Sequence, residues 1–197
     1  RRHHSLVYHA RVMLQQASEN AAAAVIVALD AASLVDGSNL WRQLEELYGA
    51  LQHEERERWD PRLAPATPAF CHEAIAHVHE QLSNHPERSQ CLVAYLDGDE
   101  QRRENVAGFL FIREKSDADL YGDDGYRWPE IETVVVRDSC RRRGVAHALM
   151  TAAEAFARSL GAHEMRVGVL AANTVAYHLY SQHGFASFDI TMRKELR

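Results

Sequence analysis

The chain has 197 residues, 46% apolar and 25% charged, with 10 Gly and 5 Pro. That is enough for one domain with a proper core plus an extension, and it excludes a disordered or collagen-like chain. Its 22 Lys and Arg against 28 Asp and Glu give a formal charge of −6. A bulk-electrostatic nucleic-acid binder leans the other way, so any anionic ligand has to be held by local geometry. Cys71, Cys91 and Cys140 lie far apart and are odd in number. They cannot form a closed disulfide framework, which points to a reducing, cytoplasmic setting. No run approaches the roughly 18 apolar residues of a membrane span.

Residues 1–22 read as an extension, basic at first, with Leu6, Ala10, Met13 and Leu14 at helical spacing over 5–16. Residues 23–197 read as the single domain. A first strand is expected over 25–29. Asp36, Gly37 and Ser38 then supply a turn and a helix start. Leu40, Leu44, Leu47 and Leu51 form one stripe of that helix, which fades into the charged stretch 54–60. Thr67 and Pro68 suit the cap and first turn of a second helix, faced by Phe70, Ala74, Val78 and Leu82. Strands are expected over 91–96 and 106–113, joined as a hairpin through a turn at Asp97, Gly98 and Asp99. The stretch 116–128 is an acidic, aromatic loop. Strand 130–137 has a fully apolar centre and is expected mid-sheet. Val145, Leu149, Ala152, Phe156 and Leu160 line a third helix that Gly161 can end. A strand over 165–170, a helix from the Asn173 cap to Gly184, and a last strand over 185–192 complete a mixed α/β sheet domain of about six strands.

The informative stretch is Arg141, Arg142, Arg143, Gly144, Val145 and Ala146, which turns a buried strand directly into a helix. Unpaired N–H groups at a helix start, the helix dipole and a glycine that lets backbone approach closely together make an anion cradle. It is not a P-loop, since no Gly-Lys-Ser/Thr follows, nor a three-glycine dinucleotide fingerprint. Beyond it come Asn173, Ala176, Leu179, Tyr180, Gly184 and Phe185 in the order Asn-x-x-Ala-x-x-Leu-Tyr-x-x-x-Gly-Phe.

With these two separated motifs the sequence resembles the GNAT superfamily of acetyl-CoA-dependent N-acyltransferases, closely over 130–196 and in element order from Val25 onward. The resemblance implies an α/β (α+β) fold: a mostly antiparallel sheet of six to seven strands, helices on both faces, and a splay between strands four and five. It implies that the loop from Arg141 to Ala146 binds the pyrophosphate of acetyl-CoA through backbone N–H groups. The backbone of Val134, Val135 and Val136 would pair with the pantetheine arm as an added strand, chiefly through Val134 and Val136. Asn173, also a helix cap, matches the side chain that reaches the pantetheine. Tyr180 matches the general acid. The departing thiolate needs a nearby hydroxyl, and a phenol of ordinary pKa near 10 is protonated at neutral pH.

A primary ammonium must also lose a proton before it attacks. Glu132 and Glu130, two apart on a strand and so on one face, are equal candidates for that base, with a water relay as a third route. Gly168 stands where the branch that acetylates ribosomal-protein N-termini has a glutamate, which argues against that subtype. His72, Glu73 and His77 lack zincin spacing, so no metal is expected. His147, His178 and His183 flank the expected site. The acceptor is an amine: the Asp, Tyr and Trp residues of loop 116–128 suit a small cation, and a peptide lysine stays open. Nucleic acid and membrane are not expected partners. Two other readings remain: a catalytically silent CoA-binding regulatory module, and an interaction protein in which the 40–51 helix or the N-terminal segment builds a homodimer.

Overall fold

The computed structural model describes residues 24–96, 105–117, 121 and 125–196. The expected helix at 5–16, the turn at 97–99 and much of the acidic loop lie outside them. In chain order the elements are β1 (Ala24–Leu29), α1 (Asn39–Arg58), α2 (Pro68–Asn84), β2 (Ser89–Leu96), β3 (Gly108–Ser116), β4 (Arg127–Val136), α3 (Val145–Ser159), β5 (Arg166–Val167) and α4 (Thr174–Gln182). Short 3-10 turns occupy Ala31–Ser33 and Asp138–Cys140.

Each helix starts where its sequence supplies a cap, with one exception. Ser38 accepts from the N–H of Trp41 (3.1 Å), Thr67 from that of Phe70 (3.2 Å) and Asn173 from that of Ala176 (3.0 Å). Helix α3 instead opens from Gly144, at φ +79°, with no side-chain cap.

The sheet runs β1-β2-β3-β4-β5, antiparallel through β4, with β5 parallel to β4. Period-two alternation sorts its residues into two cores. Cys91, Val93, Phe109, Phe111 and Val135 face α1 and α2, where Trp41, Leu44, Leu47, Ile75 and Val78 cover them. Leu92, Ala94, Leu110, Ile112 and Ile131 face α3, where Val145, Leu149, Met150 and Ala153 cover them. The leucine stripe of α1 therefore lies on the sheet, with Leu44 and Leu47 buried.

Val134 to Val136 were expected mid-sheet, and β4 does lie between β3 and β5, but it pairs with β5 only at Glu130 and Ile131, the expected splay. The sheet has five strands, not six or more, because 185–192 pairs with nothing among the described residues. Its alternating Phe188, Ile190 and Met192 are 70%, 76% and 89% exposed. Period-two alternation makes a strand only where a sheet edge and a covering layer receive it.

Gly108 is where β3 comes closest to β4. A Cβ built there would lie 2.5 Å from the Val135 carbonyl oxygen and 3.2 Å from the Val136 Cα. Both are backbone atoms that cannot turn aside, so Gly108→Ala is expected to destabilise the fold by about 1–3 kcal/mol. Urea unfolding of the two proteins measures this, and an unchanged midpoint would show that the strands are free to separate.

Candidate active site

The site begins with what β4 lacks. Beyond Ile131 its outer edge pairs with no strand among the described residues, which leaves an opening between β4 and β5, and the Val136 carbonyl accepts from Arg141 Nε at 3.4 Å. Within β4, Thr133 opposes Phe111 and Ile131 opposes Ile112, which leaves Glu132 as an extra, unpaired residue. That is a β-bulge. It lies at the mouth of the opening. Val134 and Val136 border the α3 core, while Val135 is buried in the other.

Directly beyond β4 is the basic loop. Arg142 adopts a left-handed conformation at φ +62° and Gly144 another at φ +79°. No side chain caps α3, so its first N–H groups lack a side-chain capping partner. Among the three arginines the roles divide. Arg141 Nη1 and Nη2 donate to both oxygens of Glu54 on α1 (3.3 and 2.5 Å), and Nη2 also meets Asp138 at 2.9 Å. Arg142 and Arg143 are exposed, with no ion pair among the described residues. The hydrogen bond from Arg141 holds the Glu54 carboxyl below its usual range, and the same bond raises Arg141.

Tyr180 comes from α4 on the α3 side of the sheet and is 7% exposed. Burial, and then the charge of Glu55, push its phenol up to about 12. Asn173 is buried and caps α4 through Oδ1, which leaves its amide NH2 as the donor not used by the cap.

Glu130 and Glu132 do meet. Lys115 Nζ bridges them at 2.8 and 2.9 Å. Glu132 also accepts from Arg113 Nε at 2.8 Å and lies 3.4 Å from His77 Nε2. Glu130 accepts in addition from Trp128 Nε1 at 3.0 Å. Burial works to raise the Glu132 carboxyl, but the hydrogen bonds and charges of Lys115 and Arg113 outweigh it and hold it low. Both carboxylates are thus engaged with cations and donors of the chain itself.

Sequence reasoning took Glu54 and Glu55 only as the start of the charged stretch into which the α1 stripe fades. Glu55 extends the core-facing stripe of α1 after Leu44, Tyr48 and Leu51. Its side chain is half-buried and takes no hydrogen bond or ion pair from any described residue. Burial, and then Glu54, raise its carboxyl. Its charge reaches both the Tyr48 and the Tyr180 phenols. The legible signal was a carboxylate on an apolar stripe.

The loop aromatics are otherwise engaged. Arg166 lies over Trp128 at 4.0 Å, Phe188 at 4.5 Å, Tyr121 at 5.2 Å and Tyr126 at 5.9 Å. It also donates to the Tyr121 hydroxyl at 2.8 Å and pairs with Glu164 at 2.7 Å. His147 and His183 stack and share a 2.9 Å hydrogen bond, with Glu154 3.3 Å behind His183. Burial and the His183 charge lower His147. Cys140 is free, beside the loop. Among the described residues no His, Cys, Asp and Glu cluster could hold a metal, and no helix is long and apolar enough to cross a membrane.

The fold has known counterparts. An aminoglycoside acetyltransferase from an uncultured soil metagenomic sample, solved in complex with sisomicin, superposes with a TM-score of 0.59. It is 16% identical, over 88% of this chain and 97% of that one. An aminoglycoside 6'-N-acetyltransferase from Acinetobacter haemolyticus is 17% identical, with a TM-score of 0.57, over 87% and 97% of the two chains. AAC(6')-Iy, solved with a bisubstrate analogue containing CoA, is 19% identical, with a TM-score of 0.58, over 89% and 99%. At these identities the likeness is one of fold. No curated protein sequence matches the chain. The sequence model of the acetyltransferase (GNAT) family, however, matches residues 37–185, from the turn before α1 to the residue after Gly184. The chain belongs to the acetyltransferase (GNAT) family.

Proposed function

We propose that this acetyltransferase moves the acetyl group of acetyl-CoA directly onto a primary amine, with a small cationic amine favoured over a peptide lysine. The observation that carries the reading is the junction of an unpartnered β4 edge with the uncapped start of α3. One offers backbone to an extended amide-bearing arm and the other offers N–H groups to a pyrophosphate, in the order in which CoA carries them. Arg141, Arg142, Arg143, Gly144, Val145 and Ala146 form the cradle in this reading, and Val134, Val135 and Val136 the pairing edge. Asn173 reaches the arm with its free amide. The acceptor preference rests on aminoglycoside acetyltransferases sharing the fold. The three free cysteines suit a cytoplasmic protein.

For the chemistry, the amine's lone pair forms the new N–C bond and the thioester C–S bond breaks, leaving its electron pair on sulfur. Tyr180 faces that sulfur. Its phenol, at about 12, holds its proton more firmly than an ordinary thiol near 8.5. Complete transfer is therefore uphill by roughly 5 kcal/mol. In the resting arrangement Tyr180 acts as a hydrogen-bond donor to the developing thiolate, and gives up its proton only if its surroundings change.

Calorimetry with acetyl-CoA is the direct test, with free CoA lacking the sulfur and ATP as controls. Gly144→Glu places a carboxylate in the cradle and strains a φ of +79°. It should weaken binding about tenfold or more. Equal binding by the variant would remove the cradle, and no binding by the native protein would remove the enzyme and the silent module together. Tyr180→Phe should lower kcat by about 100-fold or more while leaving the acetyl-CoA Kd in place. Because the phenol titrates only near 12, kcat should show no falling limb from this group below about pH 11. A limb near 9 that Tyr180→Phe abolishes would contradict the burial of the phenol.

A further inference from the structure

Four cations meet where β2 begins and the β3–β4 pair runs on past it. Arg88, Arg113, Lys115 and Arg127 line a hollow of about 340 Å³, with Glu114 as the one carboxylate in its lining among the described residues. The sheet makes this hollow. Ser89, the first residue of β2, pairs with Arg113, while Glu114 to Ser116 continue against Pro129 to Arg127 with no β2 residue opposite. The Glu114 N–H donates to the Arg88 carbonyl at 2.7 Å, which fixes Arg88 beside the strand. Arg113 and Lys115 are already engaged: Arg113 donates to Glu132 at 2.8 Å, and Lys115 bridges Glu130 and Glu132 at 2.8 and 2.9 Å. The other two cations are not. Arg88 and Arg127 lie 3.7 and 3.9 Å from Glu114, beyond hydrogen-bond reach, and Arg88 lies 3.4 Å from a Glu87 that is 65% exposed. Neither guanidinium makes a hydrogen bond to a described residue. Two forks of donors thus flank one carboxylate without closing on it, in a chain whose overall charge is −6.

We propose that this hollow is a second ligand site, for a small polar phosphate monoester, with Arg88 and Arg127 as the forks that take its phosphate. A phosphate monoester is close to doubly charged at neutral pH and carries three strong acceptor oxygens. Paired guanidinium forks match that geometry, and the charge outweighs that of Glu114 between them. Inorganic phosphate would fill little of the volume. The rest of the wall comes from the end of α2, where the Gln81 amide and the His85 ring make no side-chain hydrogen bond to a described residue. Ser89 is spent: its hydroxyl is directed at the Gln81 and His85 carbonyls, at 3.0 and 2.8 Å. Unspent polar groups beside the phosphate forks suit a body that carries hydroxyls, not an apolar one. The site is separate from the opening beside β5. Arg127 is the first residue of β4, and at about 3.3 Å per residue the open edge at Val134 lies about 20 Å further on. One small molecule does not span both, so the proposal stands apart from the acetyl-transfer reading.

The test is calorimetric titration of the full chain with glycerol 3-phosphate, at low salt so that screening is weak. Native protein is expected to bind with a Kd of about 1 mM or tighter. Glycerol should not bind, and inorganic phosphate should bind about tenfold more weakly because it leaves Gln81 and His85 unused. Arg88→Met and Arg127→Met keep the aliphatic stem, and each should weaken binding about tenfold or more. Both side chains are nearly half exposed, at 47% and 45%, so these variants should unfold at the native Tm. Glu114→Gln removes the competing charge and should tighten binding about threefold or more, a gain that a merely structural Glu114 would not give. Saturating acetyl-CoA should leave the glycerol 3-phosphate Kd within about twofold of its value alone. No binding by the native protein up to about 20 mM overturns the proposal. So does an affinity that the double variant Arg88→Met/Arg127→Met retains, or one that acetyl-CoA abolishes, which would put the phosphate at the start of α3. Equal affinities for inorganic phosphate and glycerol 3-phosphate overturn the ester. A protein that takes glycerol 3-phosphate but not acetyl-CoA keeps this site and loses the acetyl-transfer reading.

Discussion

Strand β4 is bonded to a neighbour along one edge throughout and along the other for only Glu130 and Ile131. Interior sheet backbone is ordinarily paired on both edges, because an unpaired buried N–H or C=O costs free energy comparable to a lost hydrogen bond. Here both faces of the strand are covered by packed side chains while one edge is open. The rest of the site hangs on that opening. The Glu132 bulge lies at one end of it and the α3 start at the other.

What keeps the opening in place is the rigidity of its frame. Phe109, Phe111, Leu110 and Ile112 of β3 are all essentially inaccessible, two in each core. At roughly 2 kcal/mol or more for each buried side chain of this size, the hydrophobic term holds β3, and β4 with it, far more firmly than the ion pairs do. The Arg141–Glu54 pair is partly exposed, so its stabilising effect is small. Its consequence is geometric: it ties the end of α1 to the loop that follows β4. The same reasoning applies to Arg166, whose aromatic surroundings and Glu164 hold the start of β5 beside Glu130 before the strands part.

Element by element, the sequence was legible where one physical rule acted alone. Ser38, Thr67 and Asn173 cap the helices they were expected to cap, since capping needs only a short acceptor side chain and the N–H groups three residues on. The strands β1, β2 and β3 follow their apolar runs. The segment 185–192 alternates but has no strand partner among the described residues, and Val134 to Val136 have the apolar run of a central strand in a strand with one open edge. Whether an edge is filled is decided by another part of the chain, so neither was readable locally.

The sequence by itself determined the family motifs: the arginine-rich turn into a helix with Gly144, the Asn173 to Phe185 block, and the apolar strand before them. Their chemistry follows from backbone conformation and spacing that neighbouring residues dictate. Only the tertiary structure decided which charges are in use. Glu132 and Glu130 share a face, as their spacing requires, but Arg113 and Lys115 from the next strand occupy them. Arg141 belongs to the expected cradle, yet its guanidinium goes to a helix 87 residues earlier in the chain. Glu55, placed in the charged stretch that ends α1, is half-buried and without a cation among the described residues. Charge in a sequence is a property of one residue. A charge's partner, and so its availability, is a property of the packing.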